Sequence, residues 1–100
     1  MKVTIADLEK YSENNPQEVL IVHAIDNQEE IEIMIFKGFS SNLTGFTAFD
    51  PDTPILSDHG QIISCDRILS PYNPLSPQYI QKDIIPEDLY QNLIVKNLPL

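Results

Sequence analysis

The residue pair with the chemistry for nucleophilic catalysis is a cysteine and a histidine. Cys65 lies six residues after His59, and Asp58 precedes that histidine. A thiol nucleophile needs an imidazole within hydrogen-bond reach and a third group that orients the imidazole. Six extended residues span about 20 Å, so His59 and Cys65 meet only if the chain folds back between them. We expect Cys65 to be a small apolar strand residue and expect no catalytic residue. A thiol enzyme that uses His59 and Cys65 is the alternative.

The other histidine and the carboxylates do not form a recognisable metal site. His23 lies in an apolar stretch, and the spacing around it does not provide the set of ligands that zinc needs. Asp50 and Asp52 resemble the start of a calcium loop, which needs a glycine at its sixth position and a glutamate at its twelfth. Counted from Asp50, those positions hold Ile55 and Gln61. We therefore expect His23 to be structural, and we expect no metal or cofactor.

Residues 37–45 are rich in hydroxyl side chains and glycine, a composition that can present backbone N–H groups to an anion. The segment lacks the Gly-x-x-x-x-Gly-Lys-Ser/Thr order of a phosphate loop. Two other interpretations are a partner-binding loop and a connector whose Phe39, Leu43 and Phe46 close the end of a sheet. Loops on a rigid scaffold commonly carry function, so this segment is a candidate binding surface.

Three prolines, Pro71, Pro74 and Pro77, recur at every third position. This spacing places them along one ridge of a polyproline II segment. With Tyr72 among them, the segment could bind an aromatic-lined groove of a partner. The alternative that we favour is an extended arm over residues 70–78, held against the domain's own surface.

The chain is acidic: its 100 residues include 15 acidic and 6 basic side chains, for a net charge of −9. This charge argues against binding to nucleic acid or to an anionic membrane surface, both of which attract clustered Lys and Arg. The longest apolar stretches, residues 19–22 and 33–36, are too short for membrane insertion. The single cysteine and the absence of a secretory signal predict a soluble, cytoplasmic protein. Glu29, Glu30 and Glu32 form an acidic segment that could steer a basic partner.

The elements that position these residues follow from hydrophobic periodicity. Thr4 and Asp7 predict a capped helix that ends at residues 14–16. The pattern of Glu18–Asp26 predicts a strand that is apolar on both faces and therefore central in its sheet. Glu29–Phe36 alternates as a half-solvated strand does. The short link between these strands requires an antiparallel hairpin.

A further strand is predicted at Gln61–Leu69 and a short one at residues 46–49, and Pro86 predicts the start of a last helix. No long crossover separates the strands, which argues against a parallel sheet. The predicted fold class is α+β, a single domain over residues 1–100 with its core at 4–97. We expect a small antiparallel sheet or a partly closed barrel, with an N-terminal and a C-terminal helix.

Three segments carry a resemblance to a family: they are IFKGFSSNLT (35–44), TAFDPDTP (47–54) and DRILSPYNP (66–74). Together they resemble a small conserved protein family of unknown function from cyanobacteria, with plastid-targeted relatives in plants. The resemblance runs from Val19 to Leu93 and so covers most of the chain. It implies a photosynthetic cell and a soluble compartment, but no chemistry, because no activity is assigned to that family.

The function that we expect is a non-catalytic protein-interaction module, such as an accessory or assembly factor, with an unidentified protein partner. A small ligand-binding protein or the thiol enzyme described above is the alternative, and a homodimer formed through an edge strand is a third interpretation. The candidate partner-binding residues are Lys37, Phe39, Ser40, Ser41, Leu43, Phe46, Asp50, Asp52 and Tyr72.

Overall fold

The computed structural model describes residues 3–43, 56 and 60–94. Its elements are helix α1 (Ile5–Asn14), strands β1 (Glu18–Asp26), β2 (Glu29–Phe36), β3 (Phe39–Asn42), β4 (Gln61–Leu69) and β5 (Tyr79–Ile84), helix α2 (Pro86–Leu89) and a π-helical turn, α3 (Tyr90–Ile94). The predicted strand at residues 46–49 lies outside the described residues.

Within the described residues, five strands form one antiparallel sheet in the order β3-β2-β1-β4-β5. This order confirms the predicted β1–β2 hairpin and the central position of β1. It leaves β3 and β5 at opposite edges of an open sheet, so the alternative prediction of a partly closed barrel was wrong. The fold class is therefore α+β with a predominance of sheet.

Helix α1 begins at the predicted cap. The Asp7 backbone N–H donates to Thr4 Oγ1 at 3.1 Å, and the Thr4 N–H donates to Asp7 Oδ2 at the same distance. This reciprocal pair satisfies two N–H groups that a helix leaves without an intrahelical partner. At the other end, the Asn15 side chain donates to the Tyr11 carbonyl at 2.8 Å, where the predicted helix ends.

The described helices pack on the same face of the sheet, which we call the helical side. There Leu8 and Leu89 are fully buried in one cluster with strand residues. A buried leucine contributes about 1.5–3 kcal/mol relative to an exposed one, so this packing holds the short helices in place. The strand members of the cluster are Leu20, Val22, Ile33, Ile35, Cys65 and Ile84.

Part of the segment predicted as a loop at residues 37–45 is a third strand. Lys37 and Gly38 form a two-residue turn with φ angles of +50° and +86°, and β3 then pairs with β2. Positive φ at both positions is the geometry of a type I′ hairpin, which glycine accepts easily. Sequence reasoning missed this strand because serine and asparagine are weak strand formers and Lys-Gly is a weak hairpin signal.

The proline-rich segment contains a turn between β4 and β5, where the proline spacing predicts an extended polyproline II arm over residues 70–78. The Ser76 N–H donates to the Asn73 carbonyl at 3.0 Å, and the Leu75 N–H donates to Asn73 Oδ1 at the same distance. The asparagine side chain thus stabilises a turn that the proline spacing did not reveal. Beyond it, β5 pairs with β4, and Pro86 begins α2 as predicted.

Within the described part of the chain, no helix has the length and apolar character needed to cross a membrane.

Candidate functional site

None of the described helices covers the second face of the sheet, which we call the open face. Side chains alternate along a strand, and the strand register assigns alternate residues to this face. The open-face residues are Val19, Ile21, His23 and Ile25 on β1, Glu30, Glu32, Met34 and Phe36 on β2, Phe39 and Ser41 on β3, and Ser64, Asp66 and Ile68 on β4.

One end of the open face is an aromatic patch. Phe36, Met34 and Tyr72 pack against a small buried cluster at its centre, and Tyr72 reaches it from the β4–β5 connection. Phe39 lies directly opposite Phe36 in the β2–β3 pair, and 79% of its surface is exposed. The Nζ atom of Lys37 lies 5.1 Å from the centre of the Phe36 ring. Large aromatic surface is therefore presented to solvent at an edge of the sheet.

Leu43 lies farther along the same edge of the sheet, beside Glu32 and beyond Ser41. Its N–H donates to the Glu32 carbonyl at 2.8 Å, which continues the β2–β3 ladder one step beyond the strand. Phe39, Ser41 and Leu43 therefore share the open face by alternation, and Leu43 and Ser41 are also exposed. The structure thus brings Lys37, Phe39, Ser41, Leu43 and Tyr72 to one side of the molecule.

The other end of the open face contains a groove of about 300 Å³. The groove lies beside a bulge in β4, where β4 has one more residue, Ile63, than β1. The exposed isoleucines Ile25 and Ile63 lie in its wall next to two glutamates. The lining residues are His23, Ala24, Ile25, Glu30, Ile31, Glu32 and Ile63.

His23 lines the groove and also contacts the nearly buried Asp66 on β4. Its Nε2 atom lies 3.1 Å from Asp66 Oδ2, and its Nδ1 atom lies 3.7 Å from Glu32 Oε1. An ionised carboxylate only accepts hydrogen bonds, so the Asp66 contact places a proton on Nε2 and turns Nδ1 towards Glu32. Asp66 Oδ1 also accepts the Asp83 N–H at 2.8 Å. His23 therefore contacts a carboxylate on each neighbouring strand, and the described residues contain no cluster of three metal-binding side chains.

Ser40 is a predicted binding residue that the structure places in an internal contact. Its hydroxyl donates to Glu9 Oε2 at 2.7 Å, on the helical side of the sheet. The Gly38 N–H donates to Ser12 Oγ at 2.9 Å. The hydroxyl and glycine groups that suggested an anion cradle therefore attach the β2–β3 turn to α1.

Cys65 lies in the core of the helical side with no exposed surface. Burial, reinforced by the negative charge of Asp66, raises the pKa of the thiol far above its usual range. The thiol is therefore protonated at neutral pH, which argues against a role as nucleophile. Its proposed base, His59, lies outside the described residues, as do Phe46, Asp50 and Asp52.

A family model for a domain of unknown function, DUF7734, matches residues 5–93. The chain belongs to the DUF7734 family. The match runs from α1 to α3 and includes the whole described part of the open face. Searches of curated proteins and of solved structures returned no match.

Sequence reasoning missed a buried ionic network in this DUF7734 chain. Arg67 donates from Nε and Nη2 to the two oxygens of Glu18, at 2.7 and 3.1 Å, and the Tyr11 hydroxyl lies 2.9 Å from both oxygens. Burial and the neighbouring Glu18 raise the pKa of Tyr11 to about 12. The network connects α1, β1 and β4 on the helical side. The sequence signal for this network was Glu18, a charged residue at the start of the otherwise apolar strand β1.

Proposed function

We propose that this chain is a non-catalytic interaction module that binds another polypeptide on its open face. The observation that carries the proposal is Phe39, a large aromatic side chain with 79% of its surface exposed, next to Phe36 in the strand pairing. Contiguous apolar surface that remains exposed is typical of contact sites between proteins. Tyr72 packs on the same face, and Leu43 is exposed farther along the β3 edge, beyond Ser41.

The charge of the chain favours a different partner over a second copy of itself. A net charge of −9 on 100 residues makes self-association unfavourable at low ionic strength. By the resemblance of its sequence segments, the setting that we propose is a photosynthetic cell, where the chain serves as an accessory or assembly factor of a larger complex. The buried Cys65 weighs against the thiol enzyme as the alternative.

A pull-down with the tagged full chain tests the proposal. The wild type is compared with Phe39→Ala and with Ile85→Ala, which removes an exposed large apolar residue that directly precedes α2. We expect one protein to be retained by the wild type and by Ile85→Ala and to be lost with Phe39→Ala. That protein is then purified, and its binding to the three chains is measured by calorimetry.

Two results would contradict the proposal. One is equal binding of the purified protein to the wild type and to Phe39→Ala, since the aromatic patch would then be outside the contact. The other is a homodimer in sedimentation equilibrium that Phe39→Ala dissociates, since the open face would then bind a second copy of the chain.

A further inference from the structure

We infer that the partner segment carries a Lys or Arg side chain that enters the groove beside His23, and an apolar side chain that packs on the aromatic patch. This inference rests on the proposed function and specifies the chemistry of the partner. Its basis is the charge and shape of the open face, which change from one end to the other.

The groove combines two types of surface that a long basic side chain needs. Ile25 and Ile63 are 39% and 44% exposed, and they offer apolar wall to an aliphatic stem. Glu30 and Glu32 lie in the same lining and carry the opposite charge to an ammonium or guanidinium head. Lys and Arg bury their methylene groups against apolar surface while the charged head stays at a polar rim. A purely apolar side chain would match only half of this lining.

The charge of the residues around the groove also favours a basic side chain of the partner. No Lys or Arg is among the described residues that line the groove, and Arg67 is bonded to Glu18 on the helical side. Lys37 and Lys82 instead lie over aromatic rings, those of Phe36 and Tyr79. With a net charge of −9, the chain attracts cationic segments over a distance limited by salt screening.

The groove and the aromatic patch are spaced so that one short segment reaches both. Glu32, Met34 and Phe36 follow one another on the open face of β2. Four residues of strand separate Glu32 from Phe36 by about 14 Å. An extended partner would therefore place its basic residue and its apolar residue about four positions apart. The spacing makes the inference more specific than a general attraction between opposite charges.

A random peptide library displayed on phage tests the inference with the intact chain as bait. We expect selected peptides to contain Lys or Arg about four positions from an aromatic or aliphatic residue. A synthetic peptide from the selection is then titrated into the wild type, the Glu30→Gln, Glu32→Gln double variant and Phe39→Ala. The Glu29→Gln variant is the matched control, because Glu29 lies on the same strand outside the groove lining.

The inference predicts about a tenfold loss of affinity in the double variant and little change with Glu29→Gln. Higher salt should weaken binding to the wild type more than binding to the double variant. Selected peptides without basic residues that still need Phe39 would overturn this inference and leave the proposed function intact. Peptides that bind Phe39→Ala as well as the wild type, or a selection with no enrichment, would contradict the proposed function itself.

Discussion

The imidazole Nε2 of His23 lies 3.1 Å from Oδ2 of Asp66, and this contact joins β1 to β4 across the open face. The second oxygen of Asp66 accepts the backbone N–H of Asp83, a residue of β5 with a φ angle of +54°. One nearly buried carboxylate therefore holds a side chain on the central strand and an irregular residue on the edge strand. The positions of His23 beside the groove and of Asp83 on β5 therefore depend on this carboxylate.

Replacing Asp66 with asparagine tests that dependence. The amide has one oxygen where the carboxylate has two, so the bonds to His23 and to the Asp83 N–H cannot both be kept without rearrangement. We expect Asp66→Asn to lower the free energy of unfolding by about 1–3 kcal/mol, measured by urea denaturation. Glu29→Gln, an exposed change of the same type, should shift it by less than about 0.5 kcal/mol. Equal shifts in the two variants would contradict a structural role for the carboxylate.

The buried thiol gives a second prediction. Cys65 has no exposed surface, and burial raises its pKa, so the thiolate that reacts with disulfide reagents is scarce in the folded chain. We expect slow labelling by an aromatic disulfide reagent in buffer and rapid labelling of one thiol in denaturing urea. Absorbance of the released thiolate measures both rates. Fast labelling of the folded chain would restore the thiol-enzyme hypothesis.

The contact between α1 and the β2–β3 turn gives a third prediction. The Gly38 N–H donates to the Ser12 hydroxyl, which in turn donates to the Glu9 carbonyl at 2.9 Å. Ser12 has no exposed surface, so Ser12→Ala leaves the partly buried Gly38 N–H without its acceptor. This loss should lower the free energy of unfolding by about 1–3 kcal/mol. Hydrogen exchange at the Gly38 amide, followed by NMR, should become faster, whereas Ser41→Ala on the open face should leave it unchanged. An unchanged exchange rate in Ser12→Ala would exclude this hydrogen bond.

The sequence predicted the elements whose signals are local and missed those that depend on distant partners. The cap at Thr4 and Asp7 and the two apolar faces of β1 are complete within a few residues, so helix and central strand were predicted correctly. The strand β3 contains mainly polar residues and forms because β2 offers it an edge. The Asn73 turn is an exception, because its hydrogen bonds are local, yet the regular proline spacing predicted an extended arm in its place.

In the candidate site, too, the sequence predicted what residue type alone determines and missed what depends on the pairing of strands. Phe39, Leu43 and Tyr72 were predicted as binding residues because of their types, and the strand register brings them to one face. Ser40 was predicted with them, but the alternation of β3 turns it to the helical side, where it bonds to Glu9. The groove beside His23 could not be predicted, because it depends on a bulge in β4 and on residues from three strands. A single register position therefore decides which residues of a polar strand can meet a partner.

The ionisation of Tyr11 makes the stability of the fold depend on pH in the alkaline range. Burial and the charge of Glu18 raise its pKa from 10.0 to about 12 in the folded chain, so between these values the unfolded chain loses the proton first. Unfolding then releases a proton, and stability falls as pH rises from about 10 to 12. Tyr11→Phe should flatten this fall. At neutral pH the Tyr11→Phe change should lower the free energy of unfolding by about 1–2 kcal/mol. Glu18 then keeps its ion pair with Arg67 but loses the hydrogen bond from the Tyr11 hydroxyl.

The measurement is the free energy of unfolding in urea at several pH values from neutral to strongly alkaline. The thiol of Cys65 contributes in the same direction, because its pKa is also raised, so Cys65→Ala serves as the background for the comparison. In that background, the slope of stability against pH above about 10 should be shallower in the Tyr11→Phe variant than in the chain that keeps the native tyrosine. Identical slopes would mean that the hydroxyl of Tyr11 is free to ionise in the folded chain. The contact between α1 and Glu18 would then be absent in solution.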